Sequence, residues 1–155
     1  MIMNKLILLT VIFLIINFAS LALGSYLMNE GPVSTWYNNL NKAPWTPPGW
    51  VFGVAWTIIM ICFSIYLAYL FNNQFSQKIT VLFIIQVILN ISWNYIFFNQ
   101  HQIIIGFTVL LLLTLLIFYF FFAFQDLGVK RYLLLPYMIW LCLAATLNLY
   151  VLMFN

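Results

Sequence analysis

Residues 36–56 read WYNNLNKAPWTPPGWVFGVAW and hold four of the chain's six tryptophans and three of its five prolines. Trp36, Tyr37, Trp45 and Trp50 are large, stiff rings with one polar edge. They suit either stacking on a flat molecule or anchoring at the lipid headgroup level. Pro44, Pro47 and Pro48 fix φ and remove backbone donors, so the chain there runs extended or turned until Pro48-Gly49 opens a helix. An anchoring belt accounts for each ring singly, but it does not require prolines, a lone Lys42 and the rings to share one short, stiff loop.

Farther on, Gln86, Asn90, Trp93, Asn94 and Phe97 fall at i, i+4, i+7, i+8 and i+11, one stripe of amides and aromatics on an otherwise Ile/Leu/Phe helix. Such a stripe must face the protein interior. It serves there either as amides bonding between helices, at about 0.6 kcal/mol each, or as a pocket wall offering directional contacts to a bound molecule. Tyr137, Trp140, Ala144 and Asn148 repeat the pattern behind Pro136, and the small Ala144 leaves space beside the indole. Phe52 and Trp56, one turn apart, are placed to close the same space beneath the loop. Acid–base and nucleophilic chemistry have no residues to work with: there is no Ser-His-Asp set, Cys/His metal spacing, Gly-rich phosphate loop or intramembrane carboxylate pair. His101, in Asn99-Gln100-His101-Gln102, reads as an interfacial polar residue, and no metal site is expected.

The elements that hold these residues follow from composition. Of 155 residues 66% are hydrophobic, and only five Lys/Arg and two Asp/Glu carry charge. A soluble domain uses about 25% charge, so the solvent here is lipid. Apolar runs at about 5–27, 49–71, 78–98, 103–125 and 131–153 are each long enough to cross a core of about 30 Å. The expectation is an all-α integral membrane protein, a five-transmembrane-helix bundle with a long first loop, forming a single domain over 1–155. Glu30 and Asp126, the only carboxylates, lie between runs, and no Lys or Arg lies inside one. That excludes proton-coupled pumps, ion transporters and voltage sensors, which need intramembrane charge. The scattered bases form no patch for nucleic acid. Lys5, Lys78, Lys130 and Arg131 fall on one side and Lys42 on the other, which predicts the N-terminus inside and the long loop and C-terminus outside. The first run is too long for a signal-peptide core, and its Ser20-xxx-Gly24 suits close helix packing. Cys62 and Cys142, in the middle of runs, are expected to be small core residues with no disulfide or metal role, and the Leu/Ile/Phe stretch 109–124 a peripheral face.

The loop, the segment QVILNISWNYIFF (Gln86 to Phe98) and the ending LLLPYMIWLCLAATLNLYVLMFN (Leu133 to Asn155) together resemble the TspO/MBR family, the tryptophan-rich sensory proteins whose animal members are the translocator protein or peripheral benzodiazepine receptor. Three motifs in order make the resemblance cover essentially the whole chain. It implies a homodimeric five-helix bundle that binds tetrapyrroles such as protoporphyrin IX or haem as ligands rather than cofactors. Some members also take cholesterol or synthetic isoquinoline and benzodiazepine ligands. Carried over by motif, the ligand-binding set is Trp36, Tyr37, Pro47, Trp56, Asn90, Trp93, Phe97, Trp140, Ala144 and Asn148. For some bacterial relatives the resemblance implies light- and oxygen-dependent porphyrin degradation through two tryptophans that match Trp56 and Trp140. Sterol binding is disfavoured, because the family's cholesterol motif needs a Lys or Arg after Tyr, and Tyr150 is followed by Val-Leu-Met-Phe-Asn. The expected role is porphyrin sensing, transport or disposal in a membrane surrounded by lipid partners, bacterial rather than mitochondrial outer. The contrasting readings are the degrading enzyme and a structural subunit whose aromatics only anchor and pack.

Overall fold

A chain in hydrocarbon must satisfy its own backbone groups, so long apolar runs become helices. The computed structural model describes the backbone from Ile2 and the side chains from Asn4, through Asn155. It contains α1 (Ile2–Leu27), α2 (Thr35–Asn39), α3 (Gly49–Asn73), α4 (Gln77–Asn94), α5 (Ile103–Ala123) and α6 (Leu135–Phe154), with no strand among the described residues. All but the short α2 are long and apolar enough to cross a bilayer. The architecture is therefore the all-α, five-span bundle that the apolar runs imply.

The helix ends differ from the runs where backbone chemistry intervenes. α2 is a single turn inside the long loop, capped by Ser34, whose Oγ accepts from the Tyr37 backbone N–H at 3.2 Å. α4 gives way at Tyr95 to one π-helical turn ending at Asn99, after which His101 turns the chain with φ +57°. The last run does not begin as an α-helix at 131. Gln125–Leu134 forms 3₁₀ turns broken at Gly128 (φ 56°), and α6 starts at Leu135 with Pro136 in its first turn, where a missing N–H costs nothing.

The spans close into a ring in the order α1, α3, α6, α5, α4. The half remote from the long loop is solid. Phe63 sits there among Phe83, Phe120 and Tyr137 with ring centroids 5.4–6.4 Å apart. Tyr66 donates its hydroxyl to the Phe120 carbonyl at 3.0 Å. Asn17 donates to Ser64 Oγ at 2.8 Å and pins α1 to α3. Near the loop, α1 leans instead on α4: a Cβ on Gly24 would come within 3.0 Å of the Asn94 amide, so glycine is what allows that approach. The cysteines are a correction to the sequence reading. Cys62 is half-buried and Cys142 exposed, because α6 turns Trp140, Leu141, Ala144 and Asn148 inward and residue 142 outward. Lipid is as apolar as a core, so an apolar neighbourhood in sequence does not mean burial.

Candidate ligand-binding cavity

The loop is built to lie over the open end of the ring. Asn41 and Asn155 bond reciprocally, Asn41 N to Asn155 Oδ1 at 2.9 Å and Asn155 Nδ2 to Asn41 O at 3.2 Å. Trp45 donates its indole N–H to Thr146 Oγ1 at 3.2 Å and packs edge-on to Tyr150. These contacts strap the proline-rich segment to the last turns of α6. The tryptophans then divide. Trp45 and Trp50 are 52% and 71% exposed, as an interfacial belt requires, whereas Trp93 and Trp140 are buried and Trp56 half-buried.

Beneath the strap lies a cavity of about 30 Å³, walled by Tyr37, Lys42 and Thr46 of the loop, Phe52 and Trp56 of α3, Trp93 of α4, Phe97 and Phe98 of the π turn, and Trp140, Ala144, Leu147, Asn148 and Val151 of α6. Phe52 and Trp140 meet edge-on at 5.1 Å, and Trp56 meets Tyr137 at 5.9 Å. Two polar atoms on this wall are buried without a partner: the indole N–H of Trp93 and the side-chain carbonyl of Asn148. The wall thus holds one free donor and one free acceptor among aromatic faces, an arrangement that rewards a flat ligand with polar atoms. At the rim, Lys42 Nζ stands 4.9 Å above the Tyr37 ring. Burial pushes the Tyr37 phenol above its ordinary value of 10, so the rim presents a neutral hydroxyl.

Of the ten residues implied by the resemblance, Tyr37, Trp56, Trp93, Phe97, Trp140, Ala144 and Asn148 line this cavity. The other three do not. Trp36, next to Tyr37 on α2, stacks on His101 at 4.1 Å and packs edge-on to Phe97 of the wall at 5.6 Å, lining instead a cleft of about 270 Å³ that also contains Glu30 and Asn99. Pro47 lies in the strap outside the lining. Asn90 is committed to helix packing: its Oδ1 accepts from the Tyr137 hydroxyl at 3.2 Å, and that hydroxyl accepts from Gln86 Nε2 at 3.0 Å. Of the two readings of the α4 stripe, interhelical bonding describes Gln86 and Asn90, and the pocket wall describes Trp93 and Phe97. The sequence reading missed Thr46, Phe98, Leu147 and Val151. Leu147 and Val151 were legible as continuations of the Trp140–Ala144–Asn148 stripe, but Phe98 enters only because the π turn brings two consecutive rings inward, 5.0 Å apart. Gly106 makes room for that turn, since a Cβ there would come within 2.9 Å of Phe97 Cβ.

A second cavity of about 380 Å³ lies between α1, α3 and α4 and shares Phe52, Trp56, Trp93 and Phe98 with the first. No cluster of three or more His, Cys, Asp or Glu suited to a metal occurs among the described residues. What the site offers is stacking, one donor, one acceptor and oxidisable indoles.

The chain is similar in sequence to several known proteins. The chain is 34% identical over 118 residues to the protein CrtK of Rhodobacter capsulatus, covering 73% of this chain and 74% of that one. It is 32% identical over 129 residues to the tryptophan-rich protein TspO of Chlorobaculum tepidum, covering 80% and 82%. It is also 32% identical over 129 residues to the translocator protein of Ovis aries, covering 79% and 75%. The TspO/MBR family as a whole matches residues 9–154. With five apolar spans and a match running nearly end to end, the chain is an integral, multi-pass membrane protein that belongs to the TspO/MBR family.

Proposed function

We propose that this protein binds a tetrapyrrole, protoporphyrin IX or haem, in the aromatic cavity beneath its first loop, as a step in porphyrin sensing, transport or disposal. The observation that carries the reading is the unpaired Trp93 N–H and unpaired Asn148 carbonyl on a largely aromatic wall. A buried polar atom without a partner costs about 1–3 kcal/mol, and a ligand with polar atoms at its edge recovers that cost. The macrocycle stacks against Trp56 and Trp140, and Lys42 at the rim meets a propionate. The long loop faces outside and the N-terminus inside, following the distribution of Lys and Arg, and the membrane is bacterial. The test is the porphyrin absorbance shift in Trp56→Phe and Trp140→Phe. Each variant is expected to bind several-fold more weakly, and wild-type affinity in both removes these rings from the site.

One observation favours a second reading, light- and oxygen-dependent degradation of the bound porphyrin: both indoles, Trp56 and Trp140, line the same cavity. Illuminated, aerobic protein then converts protoporphyrin to a new absorbing product, and the double Phe variant does not. Stable absorbance under light in the wild type leaves binding alone.

A further inference from the structure

A volume of about 30 Å³ holds one water molecule, whereas pockets for small organic ligands measure about 300–1,000 Å³. The cavity as it stands is too small for such a ligand, and its loop side is walled by Lys42 and Thr46 beside the Asn41–Asn155 and Trp45–Thr146 strap. The neighbouring cavity is of ligand size, at about 380 Å³. The side chains of Phe52, Trp56, Trp93 and Phe98 line both.

The geometry of α1 explains the larger space. Its first half is fixed to α3 by Asn17 and Ser64 and by the Phe13–Phe71 ring contact at 4.9 Å. Its last turns lean away onto α4 through Gly24. The two helices diverge toward the loop, and the gap opens between Ser25 on one side and Gly49, Gly53 and Thr57 on the other, all four exposed. From Gly49 to Thr57 the groove reaches about 12 Å into the span at 1.5 Å per residue. It therefore opens sideways, into lipid.

The glycines are the telling residues. A glycine inside a helix costs about 1 kcal/mol relative to alanine, and in a membrane it is usually repaid by close helix approach. Gly53, inside α3, has no such close approach, because a Cβ there would meet nothing within 4 Å; Gly49, at the first position of the helix, is equally open. They keep a space empty. At its back stands Trp93, 7% exposed, with its indole N–H unpaired. An unpaired buried donor on the wall common to both chambers is a second sign that a ligand comes to this place.

We propose that the flat apolar ligand reaches the aromatic cavity sideways from the bilayer, through the groove between α1 and α3 that Gly49 and Gly53 hold open, with Phe52 and Trp56 swinging as the gate. This rests on the tetrapyrrole reading above. An apolar ring partitions into the membrane first, so a lateral door meets it where it is concentrated and leaves the strap closed.

Gly53→Leu adds bulk to the groove at a position where a Cβ meets nothing within 4 Å. Thr57→Phe, one turn deeper, is the second variant, since Thr57 Oγ1 bonds only to the Gly53 carbonyl of its own helix. Protein in nanodiscs is mixed in the dark with protoporphyrin IX carried in vesicles, and tryptophan quenching is followed in time and at equilibrium. Both variants should slow association and dissociation together by about tenfold or more, with Kd within about threefold of wild type. Asn155→Ala, which loosens the strap, should leave the association rate unchanged. Unaltered association in both groove variants overturns the lateral route, as does a rate that rises only when the strap is loosened. A weaker Kd with unaltered association also overturns it, by making the groove part of the bound site instead of the passage. The wild-type titration separately tests the parent reading: absence of saturation there defeats both, whereas saturation with unaffected variants defeats only the route.

Discussion

Replacing Tyr137 with Phe separates the amides that hold helices from those that meet ligand. The Tyr137 hydroxyl ties α6 to α4 across the inside of the ring, accepting from Gln86 at 3.0 Å and donating to Asn90 at 3.2 Å. Gln86 and Asn90 are 1% and 3% exposed, so no water replaces the lost partner. Interhelical bonds in membranes average about 0.6 kcal/mol and reach about 1.7, so the two bonds place the loss at about 1–2 kcal/mol, with about 3 as its ceiling. The ring and its edge contacts with Phe63 and Trp56 survive in Phe, so no cavity adds to the cost. The assay is unfolding in mixed detergent micelles by titrated dodecyl sulfate, read by tryptophan fluorescence. The same preparation is titrated with protoporphyrin IX, whose Kd should stay within about threefold, a change under about 0.7 kcal/mol. If stability is unmoved while affinity falls tenfold or more, about 1.4 kcal/mol, the network belongs to the ligand, and its assignment to packing is wrong.

Asn148→Ala should do the reverse. The carbonyl it removes has no partner among the described residues, and the amide it removes bonds only to the Ala144 carbonyl of its own helix at 3.0 Å. No interhelical bond is lost, so stability should change by less than in Tyr137→Phe while porphyrin affinity falls about fivefold to tenfold, the worth of one hydrogen bond; equal affinity would remove Asn148 from the contact. Gly106→Ala drives a methyl group to 2.9 Å from Phe97 Cβ, and overpacking of that kind costs about 1–3 kcal/mol. A variant as stable as wild type in the micelle titration would contradict the packing of the π turn. Asn155→Ala removes the reciprocal bonds to Asn41. Amide exchange across residues 40–46 should then accelerate with exchange in the spans unchanged, and unaltered loop protection would show that the strap is held by other contacts.

Lipid decides which parts of this molecule are legible in its sequence. Since hydrocarbon outside resembles the core inside, apolar residues reveal the spans but not their orientation, and Cys142 was misplaced for that reason. Polar and aromatic residues are the informative ones: the stripe from Gln86 to Phe97 and the stripe from Trp140 to Asn148 both turn inward. Whether an inward amide serves packing or a ligand is invisible to spacing. Asn90 and Asn148 look alike in sequence, but the Tyr137 hydroxyl captures the carbonyl of the first, while the carbonyl of the second has no partner among the described residues. Trp36 and Tyr37 are adjacent on one helical turn, about 100° apart, and Tyr37 lines the cavity while Trp36 lines the neighbouring cleft. That turn is announced by Ser34 at the cap, a weak signal beside three prolines. The groove escapes sequence reasoning altogether, because a glycine that avoids a clash and a glycine that preserves a void are the same letter.

The most direct test of the central claim is a titration of wild-type protein in nanodiscs with protoporphyrin IX in the dark, following tryptophan quenching to completion. The account predicts saturation at one porphyrin per chain, with most of the quenching arising from the buried indoles Trp56, Trp93 and Trp140 and surviving replacement of the exposed Trp45 and Trp50 by Phe. Quenching that rises linearly with added porphyrin, as partitioning into lipid produces, or that disappears with Trp45 and Trp50, would contradict it.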